Sequence, residues 1–446
     1  MRPALLAPAV ALASSLGIIA SCASNEGGSS PRSDAAEDGG APGTDAGAQQ
    51  STLLPLEEPL TAAELGLIIN TDDPQSVAVG AAYIEARQIP SANVVRLALG
   101  APAKDVSAKT FQQWKAQVDA ALPASVQALA LTFTQPSVVE GCQSITAAFT
   151  FGYDAKYCVA CERGVASPLY DKPASRAFTK HGIRPSMMLA ASSTAEAQKL
   201  IARGVASDGT FPPGKAYFVR TTDVPRSGPR YEQFQAVTKT FTASALETEY
   251  IDETTGGASD VVGASDVLLY MTGRERIPDI ATNTYRPGAF ADHLTSFAGS
   301  FTSTCSLDGQ MNVLCWLEAG VTASYGTVVE PCNHRQKFPD ARVLTDVYFR
   351  GATVLEAAWA SVAWPGQGVF VGEPLARPFG SRLTVHDDVA TIETTELVAK
   401  KRYVLEGAED ASGPWTTVQD GIAVSKPTRY TLDVDLGWSF LRFREE

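Results

Sequence analysis

The sequence predicts an α/β domain with a mostly parallel sheet and helices on both faces, followed by a small antiparallel β-sandwich. Two observations predict this organisation. Between residues 56 and 384, short apolar runs of strand length alternate with segments that repeat apolar residues at helical spacing. From residue 385 to residue 446 the helical spacing disappears, and short alternating runs remain between Gly, Asp and Pro.

The strands of the α/β domain are predicted from their apolar runs. Leu65 to Asn70 is continuously apolar up to its last residue, which is typical of a strand that is buried on both faces. The remaining strands are predicted, in order, at Asn93–Leu99, Gln127–Phe133, Ala216–Thr221, Val267–Met271, His293–Phe297 and Thr322–Val329.

The helices are predicted from apolar spacing and from capping signals. Asp73 is expected to cap a helix with Pro74 at its first position. Ser193 and Thr353 each precede a Glu by three residues, the pattern that closes a helix N-terminus with a capping box. Further apolar residues at helical spacing are Phe111, Trp114 and Val118, and then Met311, Leu314 and Leu317.

The N-terminus has the pattern of an export signal that ends in a modified cysteine. Arg2 supplies a positive charge, residues 3–19 are almost all apolar or small, and Ile19-Ala20-Ser21-Cys22 follows. This resembles the lipobox of bacterial lipoproteins, which implies that residues 1–21 are removed and that Cys22 is acylated. A plain secretory signal with a chance cysteine is the alternative. Ala23 rather than Asp comes next, which favours the outer membrane of the cell envelope.

Composition limits the partners that the chain is expected to have. Residues 22–55 are rich in Gly, Ser, Ala and Asp and offer little to bury, which is typical of a flexible tether. The formal net charge is −13, with no cluster of Lys or Arg, which argues against nucleic acid and anionic membrane surfaces. The expected partners are the membrane, through lipid on Cys22, and an unidentified protein or glycan.

Six cysteines remain after Cys22, and in an exported protein they predict disulfides. They fall into two groups, so at least one cysteine of each group pairs across or stays free. A disulfide that involves Cys142 is favoured over a redox or zinc role for Cys158-x-x-Cys161, because the segment before it is predicted to be a loop. The six candidates are Cys142, Cys158, Cys161, Cys305, Cys315 and Cys332.

Polar residues follow the predicted strands at their carboxyl ends, where open parallel sheets bind ligands. Asp72 is the strongest functional candidate beside the first strand, whereas Asp73 is more simply explained as a helix cap. The other members of this set are Asn70, Thr134, Gln135, Arg220, Asp223, Thr272–Glu275 and Glu330–His334.

Two further clusters invite a chemical interpretation. Glu330, Cys332 and His334 stand at alternate positions, and their side chains share one side of an extended segment, where they could bind zinc. The alternative places Cys332 in a disulfide, has Glu330 as a cap or paired with Arg335, and leaves His334 exposed. Cys305 with His293 as its base is a weaker candidate for a nucleophilic pair. No organic cofactor is predicted, and the serine elbow, phosphate loop and dinucleotide fingerprint are absent from the sequence.

Several segments together resemble a family of exported bacterial proteins that is defined by sequence and has no assigned reaction. They span roughly residues 64–379. The matching segments are Asn70–Pro74, Ala86–Asn93, Cys142–Cys161, Arg184–Leu189, Arg203–Thr210, Glu330–Asn333 and Val371–Phe379.

The layout also resembles gingipain-like cysteine peptidases, which join a caspase-like, flavodoxin-like α/β domain to a β-sandwich. Gly372-Glu373-Pro374 is similar to the turn that closes such domains. The peptidase pattern has a His after one strand and a Cys after the next, whereas this chain has Arg274 and Ser296-Phe297-Ala298-Gly299 there. Arginine cannot act as a general base near neutral pH. The resemblance therefore implies the fold and argues against the activity.

These observations favour a lipid-anchored, non-catalytic binding module. The alternative is an envelope hydrolase of the peptidase type that uses Asp72, Arg274 or His334, with or without a metal at Glu330–His334. The two hypotheses differ in whether Asp72, Arg274 and His334 converge on one cleft.

Overall fold

The computed structural model describes residues 51–446 apart from 173–174, 243, 303, 387–388 and 436. The predicted signal peptide, the lipidation site Cys22 and the predicted tether as far as residue 50 lie outside the described residues. Within the described residues, no helix is long and apolar enough to cross a membrane.

The strands and helices alternate along most of the chain. The strands are β1 Thr52–Leu54, β2 Leu65–Asn70, β3 Val94–Leu97, β4 Asp105–Val106, β5 Ala128–Leu131, β6 Val138–Val139, β7 Gln143–Ser144, β8 Ser186–Met188, β9 Lys215–Arg220, β10 Glu247–Asp252, β11 Val267–Gly273, β12 Tyr285–Leu294, β13 Ala323–Thr327, β14 Gly368–Gly372, β15 Arg382–His386, β16 Val389–Thr394, β17 Arg402–Ala408, β18 Thr416–Ala423, β19 Tyr430–Asp435 and β20 Phe440–Glu445. The helices are α1 Pro74–Arg87, α2 Ala108–Ala121, α3 Ile145–Phe151, α4 Ala177–His181, α5 Thr194–Val205, α6 Val224–Ser227, α7 Tyr231–Thr240, α8 Val313–Glu318, α9 Ala341–Phe349 and α10 Val354–Ser361.

Ten strands form one sheet in the order β10-β9-β11-β12-β13-β14-β8-β5-β2-β3. Every neighbouring pair in this order is parallel except β13 with β14, which is antiparallel. The α/β prediction is therefore confirmed, but the sheet is mixed. It consists of two parallel halves that run in opposite directions, so the carboxyl ends of β2 and β11 lie at opposite edges.

The predicted caps form, but the reciprocal capping box is complete only at Thr353, because Glu196 bonds Lys199 rather than the backbone of Ser193. Asp73 accepts the backbone N–H of Gln75 at 3.0 Å and starts α1. Ser193 caps α5, and the hydroxyl and backbone N–H of Thr353 both bond the carboxylate of Glu356. Each of these bonds satisfies donors that the first turn of a helix otherwise leaves unpaired.

One predicted strand is wrong in its position. The sequence predicts a strand over His293–Phe297, whereas β12 covers Tyr285–Leu294 and ends before Phe297. The start of β12 was not predicted because Arg286-Pro287-Gly288 interrupts its apolar run, and Pro and Gly are depleted in strands.

The C-terminal strands form two sheets that share a core. One sheet has the order β1-β20-β17-β18 and the other β15-β16-β19. Ile392 from the second sheet packs in the same cluster as Leu405 and Leu441 from the first. β1 pairs in parallel with β20, so Thr52–Leu54 belongs to this sandwich. That corrects the prediction that residues 22–55 are all tether.

A buried ionic network lies beside the turn that follows β14. Glu373 is fully buried and accepts hydrogen bonds from the Tyr83 hydroxyl at 2.5 Å and from Arg87 Nε at 3.1 Å. Arg87 also pairs with Asp208. Burial, together with the charge of Glu373, raises the pKa of Tyr83. The network joins α1, the segment after α5 and the turn after β14.

Candidate functional site

A polar cleft lies where β9, β10 and β11 end, at the carboxyl edge of their half of the sheet. Its volume is about 360 Å³. This is the edge at which open parallel sheets bind ligands. The cleft is lined by Thr221, Thr222, Asp223, Glu253, Arg274, Glu275, Arg276 and Pro278.

The wall formed by the segment after β9 is held by side-chain hydrogen bonds. The Thr221 hydroxyl donates to the Gly273 carbonyl at 2.6 Å, which fixes the β9 end against β11. The Thr222 backbone N–H and hydroxyl both bond the Glu253 carboxylate. Asp223 caps α6 and pairs with Arg226 at 2.8 Å. These acidic groups are therefore engaged within the wall.

Arg274 reaches the cleft but is paired with a buried carboxylate. Its Nη1 lies 2.6 Å from Oδ2 of Asp260. Asp260 is only 8% exposed, and its Oδ1 has no hydrogen-bond partner. Burial raises the pKa of Asp260, and the charge of Arg274 opposes that rise. The pair costs desolvation and holds the guanidinium in one position.

Glu275 and Arg276 are the charged groups of the cleft that are least engaged. No side-chain partner of the Glu275 carboxylate is found among the described residues, and Arg276 reaches only the Leu307 carbonyl at 3.5 Å. A carboxylate and a guanidinium side by side can bind a ligand that carries both donors and acceptors.

His293 lies on β12, but it cannot act as a base. Trp316 Nε1 donates to its Nδ1 at 2.9 Å, so the proton is on Nε2, which donates to the Met311 carbonyl at 2.9 Å. Burial lowers the pKa of His293 from 6.5 to about 4. Both ring nitrogens are thus occupied, and the ring is neutral at physiological pH.

The six cysteines form three disulfides, so the prediction that these residues are disulfide-bonded is confirmed. The pairs are Cys142–Cys158, Cys161–Cys332 and Cys305–Cys315. Cys161–Cys332 joins the two sequence groups, which is one of the two outcomes that the odd count in each group allows. Cys305 is therefore not a free nucleophile, and its pairing with His293 as a catalytic dyad is wrong.

The predicted zinc residues surround the disulfide that joins the two groups. Glu330 accepts the backbone N–H of Cys332 at 2.8 Å, and His334 Nε2 lies 2.6 Å from the Cys161 carbonyl oxygen. Lys337 is buried beside them, and burial lowers its pKa to about 8. While the disulfide is intact, neither sulfur is a thiolate that could bind zinc.

The residues that leave β2 hold a loop in place. Asp72 accepts the Gly100 backbone N–H at 2.7 Å, and Asn70 accepts those of Asp72 and Leu99. Thr134, after β5, bonds both backbone groups of Ala191. These side chains organise the opposite edge of the sheet from the cleft.

The other candidates after strands also have local partners. Gln135 donates to the Phe301 carbonyl at 3.2 Å. Arg220 pairs with Asp252 at 3.2 Å. Of Asp72, Arg274 and His334, only Arg274 lines the cleft.

Sequence reasoning missed Glu253, Arg276 and Asp260, which belong to the cleft or support it. Glu253 directly follows β10, and Asp260 lies in the long segment between β10 and β11. β10 has only partly buried and exposed side chains, so it lacks the apolar run that marks the central strands. A criterion based on apolar runs therefore cannot detect this polar edge strand or the residues that follow it.

Comparison with known proteins gives a distant structural likeness. No protein-family model matches the chain, and no curated protein sequence is similar to it. The resemblance to a family of exported bacterial proteins therefore stays a prediction. The structure of the pro- and mature domains of RgpB from Porphyromonas gingivalis has a TM-score of 0.44 and 8% identity, over 86% of this chain and 99% of that one.

A second structure, of the Arg-specific cysteine proteinase gingipain R, has a TM-score of 0.43 and 10% identity, over 88% of this chain and 99% of that one. The likeness concerns the fold alone. At these low scores it carries no conclusion about the chemistry of the cleft.

Proposed function

We propose that the protein is a binding module of the cell envelope that holds a ligand in the polar cleft without transforming it. The observation that supports this proposal most directly is the chemistry of the cleft itself. Arg274 is engaged by Asp260, and Thr222 and Arg226 engage Glu253 and Asp223. These groups form a fixed polar surface, with Glu275 and Arg276 left to meet a ligand.

The described residues offer no thiol or imidazole for nucleophilic catalysis at this cleft. Their six cysteines are all in disulfides, and His293 has both ring nitrogens in hydrogen bonds. A nucleophile must be activated by a neighbouring base or by a lowered pKa. Binding is accordingly the function that the arrangement supports best.

Apolar side chains around the cleft favour a protein ligand over a glycan. Of the eight large apolar side chains that are exposed among the described residues, four lie on segments that follow β9, β10 and β12. Each segment also carries a residue that lines the cleft or contacts a lining residue. Exposed apolar side chains beside polar groups are typical of protein interfaces. These four are Val224, Val262, Phe297 and Leu307.

The site is tested with charge reversal in the full chain. A displayed library of random dodecapeptides is selected on the protein, and the affinity of the enriched peptides is measured by fluorescence polarisation. Glu275→Lys with Arg276→Glu is expected to weaken binding at least about tenfold, because both charges then oppose those of the peptide. Lys401→Glu with Glu445→Lys reverses an exposed ion pair of the C-terminal strands, away from the cleft, and is the matched control.

Three outcomes test the site, the class of ligand and the absence of catalysis. Binding that survives charge reversal at the cleft contradicts the site. Enrichment of glycans rather than peptides, lost in the same variant, keeps the site and changes the ligand. Cleavage of a bound peptide, seen by mass spectrometry, contradicts the non-catalytic proposal and supports the envelope hydrolase.

The lipid on Cys22 and the outer membrane belong to the same proposal. Support comes from the sequence at residues 19–22. Cys22→Ala is expected to move the protein from the membrane fraction to the soluble fraction and to abolish labelling by a radioactive fatty acid. A Cys22→Ala protein that remains with membranes would count against the anchor.

A further inference from the structure

Three groups of the kinds that bind zinc lie together around one disulfide. Sγ of Cys161, Sγ of Cys332 and a carboxylate oxygen of Glu330 are all within 4.8 Å of one another. The two cysteines are 171 residues apart in sequence, so the fold and not local spacing brings them together. The cluster lies outside the cleft described above, and the inference below is independent of the proposed function.

We propose that this cluster is a redox-gated zinc site, which is closed by the disulfide when oxidised and binds Zn²⁺ through Cys161, Cys332 and Glu330 when reduced. Two thiolates and a carboxylate are ligands that zinc prefers, with a water or a further side chain as the fourth.

The geometry needs little movement. The two Cα atoms are 5.0 Å apart. Zinc–sulfur bonds of about 2.3 Å in a tetrahedral site place two sulfurs about 3.8 Å apart. Rotation of the two cysteine side chains supplies this separation after the sulfur–sulfur bond breaks. Glu330 is already fixed beside the pair, because its carboxylate accepts the Cys332 backbone N–H at 2.8 Å.

The fourth ligand of the site is a water molecule. His334 lies near the cluster, but its ring nitrogens are not among the ligand atoms that lie within 4.8 Å of one another. Its Nε2 is 2.6 Å from the carbonyl oxygen of Cys161, and the ring packs near Trp364, with the ring centroids 5.7 Å apart. These contacts engage the imidazole, so a water completes the tetrahedral set.

This disulfide contains the most exposed of the six cysteines, so a reductant should attack it first. Cys161 is exposed, whereas the cysteines of the other two disulfides are half-buried or buried. Two molecules of a small-molecule thiol reduce the bond by exchange: the first forms a mixed disulfide and frees one cysteine thiol, and the second frees the other, which leaves one small-molecule disulfide. Binding of Zn²⁺ then releases the two thiol protons.

The zinc would preserve a connection that the disulfide otherwise makes. Cys161–Cys332 ties the segment before residue 163 to the segment after β13. A metal that bridges the same two sulfurs restrains the same segments. The two segments therefore stay connected in both redox states, including the interval before the disulfide forms during export.

The test uses the full chain with Cys22→Ala, which removes the seventh cysteine. A phosphine reductant is titrated until two thiols per chain appear, and differential alkylation with mass spectrometry maps them. Zn²⁺ is then added, and excess metal is removed by desalting. Bound zinc is measured by inductively coupled plasma mass spectrometry. Co²⁺ replaces Zn²⁺ in a parallel sample, because thiolate ligation of Co²⁺ gives a charge-transfer band in the near ultraviolet.

The expected result is about one zinc per reduced chain, none in the oxidised chain, and thiols that map to Cys161 and Cys332. Glu330→Gln is expected to weaken zinc binding at least about tenfold. Cys305→Ser with Cys315→Ser is the matched control and is expected to keep the site. Cys161→Ser with Cys332→Ser is expected to lose both the zinc and the cobalt band.

Four results would overturn the proposal. They are the absence of zinc from the reduced chain, equal zinc in the oxidised chain, zinc retained by the Cys161→Ser, Cys332→Ser variant, and first thiols that map to another disulfide. A cobalt spectrum without the thiolate band has the same meaning, because it places the metal on oxygen and nitrogen ligands alone.

Discussion

Acidification is expected to lower the free energy of unfolding because His293 is buried as a neutral ring. The substitution His293→Gln should remove this contribution. The ring is fully buried, and its pKa falls from 6.5 in the unfolded chain to about 4 in the native state. Between these values the unfolded chain binds a proton here that the native chain does not. The free energy of unfolding therefore falls as the pH falls, by up to about 1.4 kcal/mol per pH unit. From pH 7 to pH 5 this amounts to about 2 kcal/mol.

The assay compares urea unfolding of the wild type and of His293→Gln at several pH values between about 7 and 4.5. A glutamine amide can accept from Trp316 and donate to the Met311 carbonyl, but it does not titrate. The difference in the free energy of unfolding between the two proteins should narrow by about 2 kcal/mol from pH 7 to pH 5. His181→Gln, on the surface, is the control and should follow the wild type. Parallel pH curves for the wild type and His293→Gln would refute the reasoning.

Two further substitutions test the packing of the core. Arg87→Met leaves a buried carboxylate without its partner, so it should lower the free energy of unfolding by about 3–5 kcal/mol in urea. Lys115→Met, in an exposed pair, should cost less than about 1 kcal/mol, and equal losses would contradict this assignment. Gly368→Ala places a Cβ 1.8 Å from the hydroxyl oxygen of Tyr325, so thermal unfolding should shift down by several degrees. Gly437→Ala meets nothing within 4 Å and should leave the transition unchanged.

Central strands and capped helices were predictable because their signals are local. β2 is buried along its whole length, so its apolar run is continuous, and Asp73 with Pro74 marks the start of α1 without ambiguity. β10 is an edge strand with alternating acidic residues, and β12 begins with a Pro-Gly pair. In both, long-range pairing with a neighbouring strand overrides weak local preference.

The candidate site was less predictable because it depends on the direction of the two half-sheets. The sequence places polar residues after every strand, and a single parallel sheet would collect them at one edge. The antiparallel pairing of β13 with β14 separates them into two sets. Asp72 thus falls on one edge and Arg274 on the other. Nothing within either segment encodes this reversal, because it is set by how residues 323–327 pair with residues 368–372.

The disulfide Cys305–Cys315 helps to hold the hydrogen-bond partners of His293 in place. Cys315 lies in α8, next to Trp316, whose indole N–H holds Nδ1 of His293. The Met311 carbonyl that receives Nε2–H lies inside the loop that this disulfide closes. Closing the loop removes conformations in which the two partners leave the ring. Without the disulfide, water would reach His293 more often, and its pKa would rise toward 6.5. Formation of this disulfide therefore maintains the neutral, fully bonded imidazole, and with it the position of β12 next to β11.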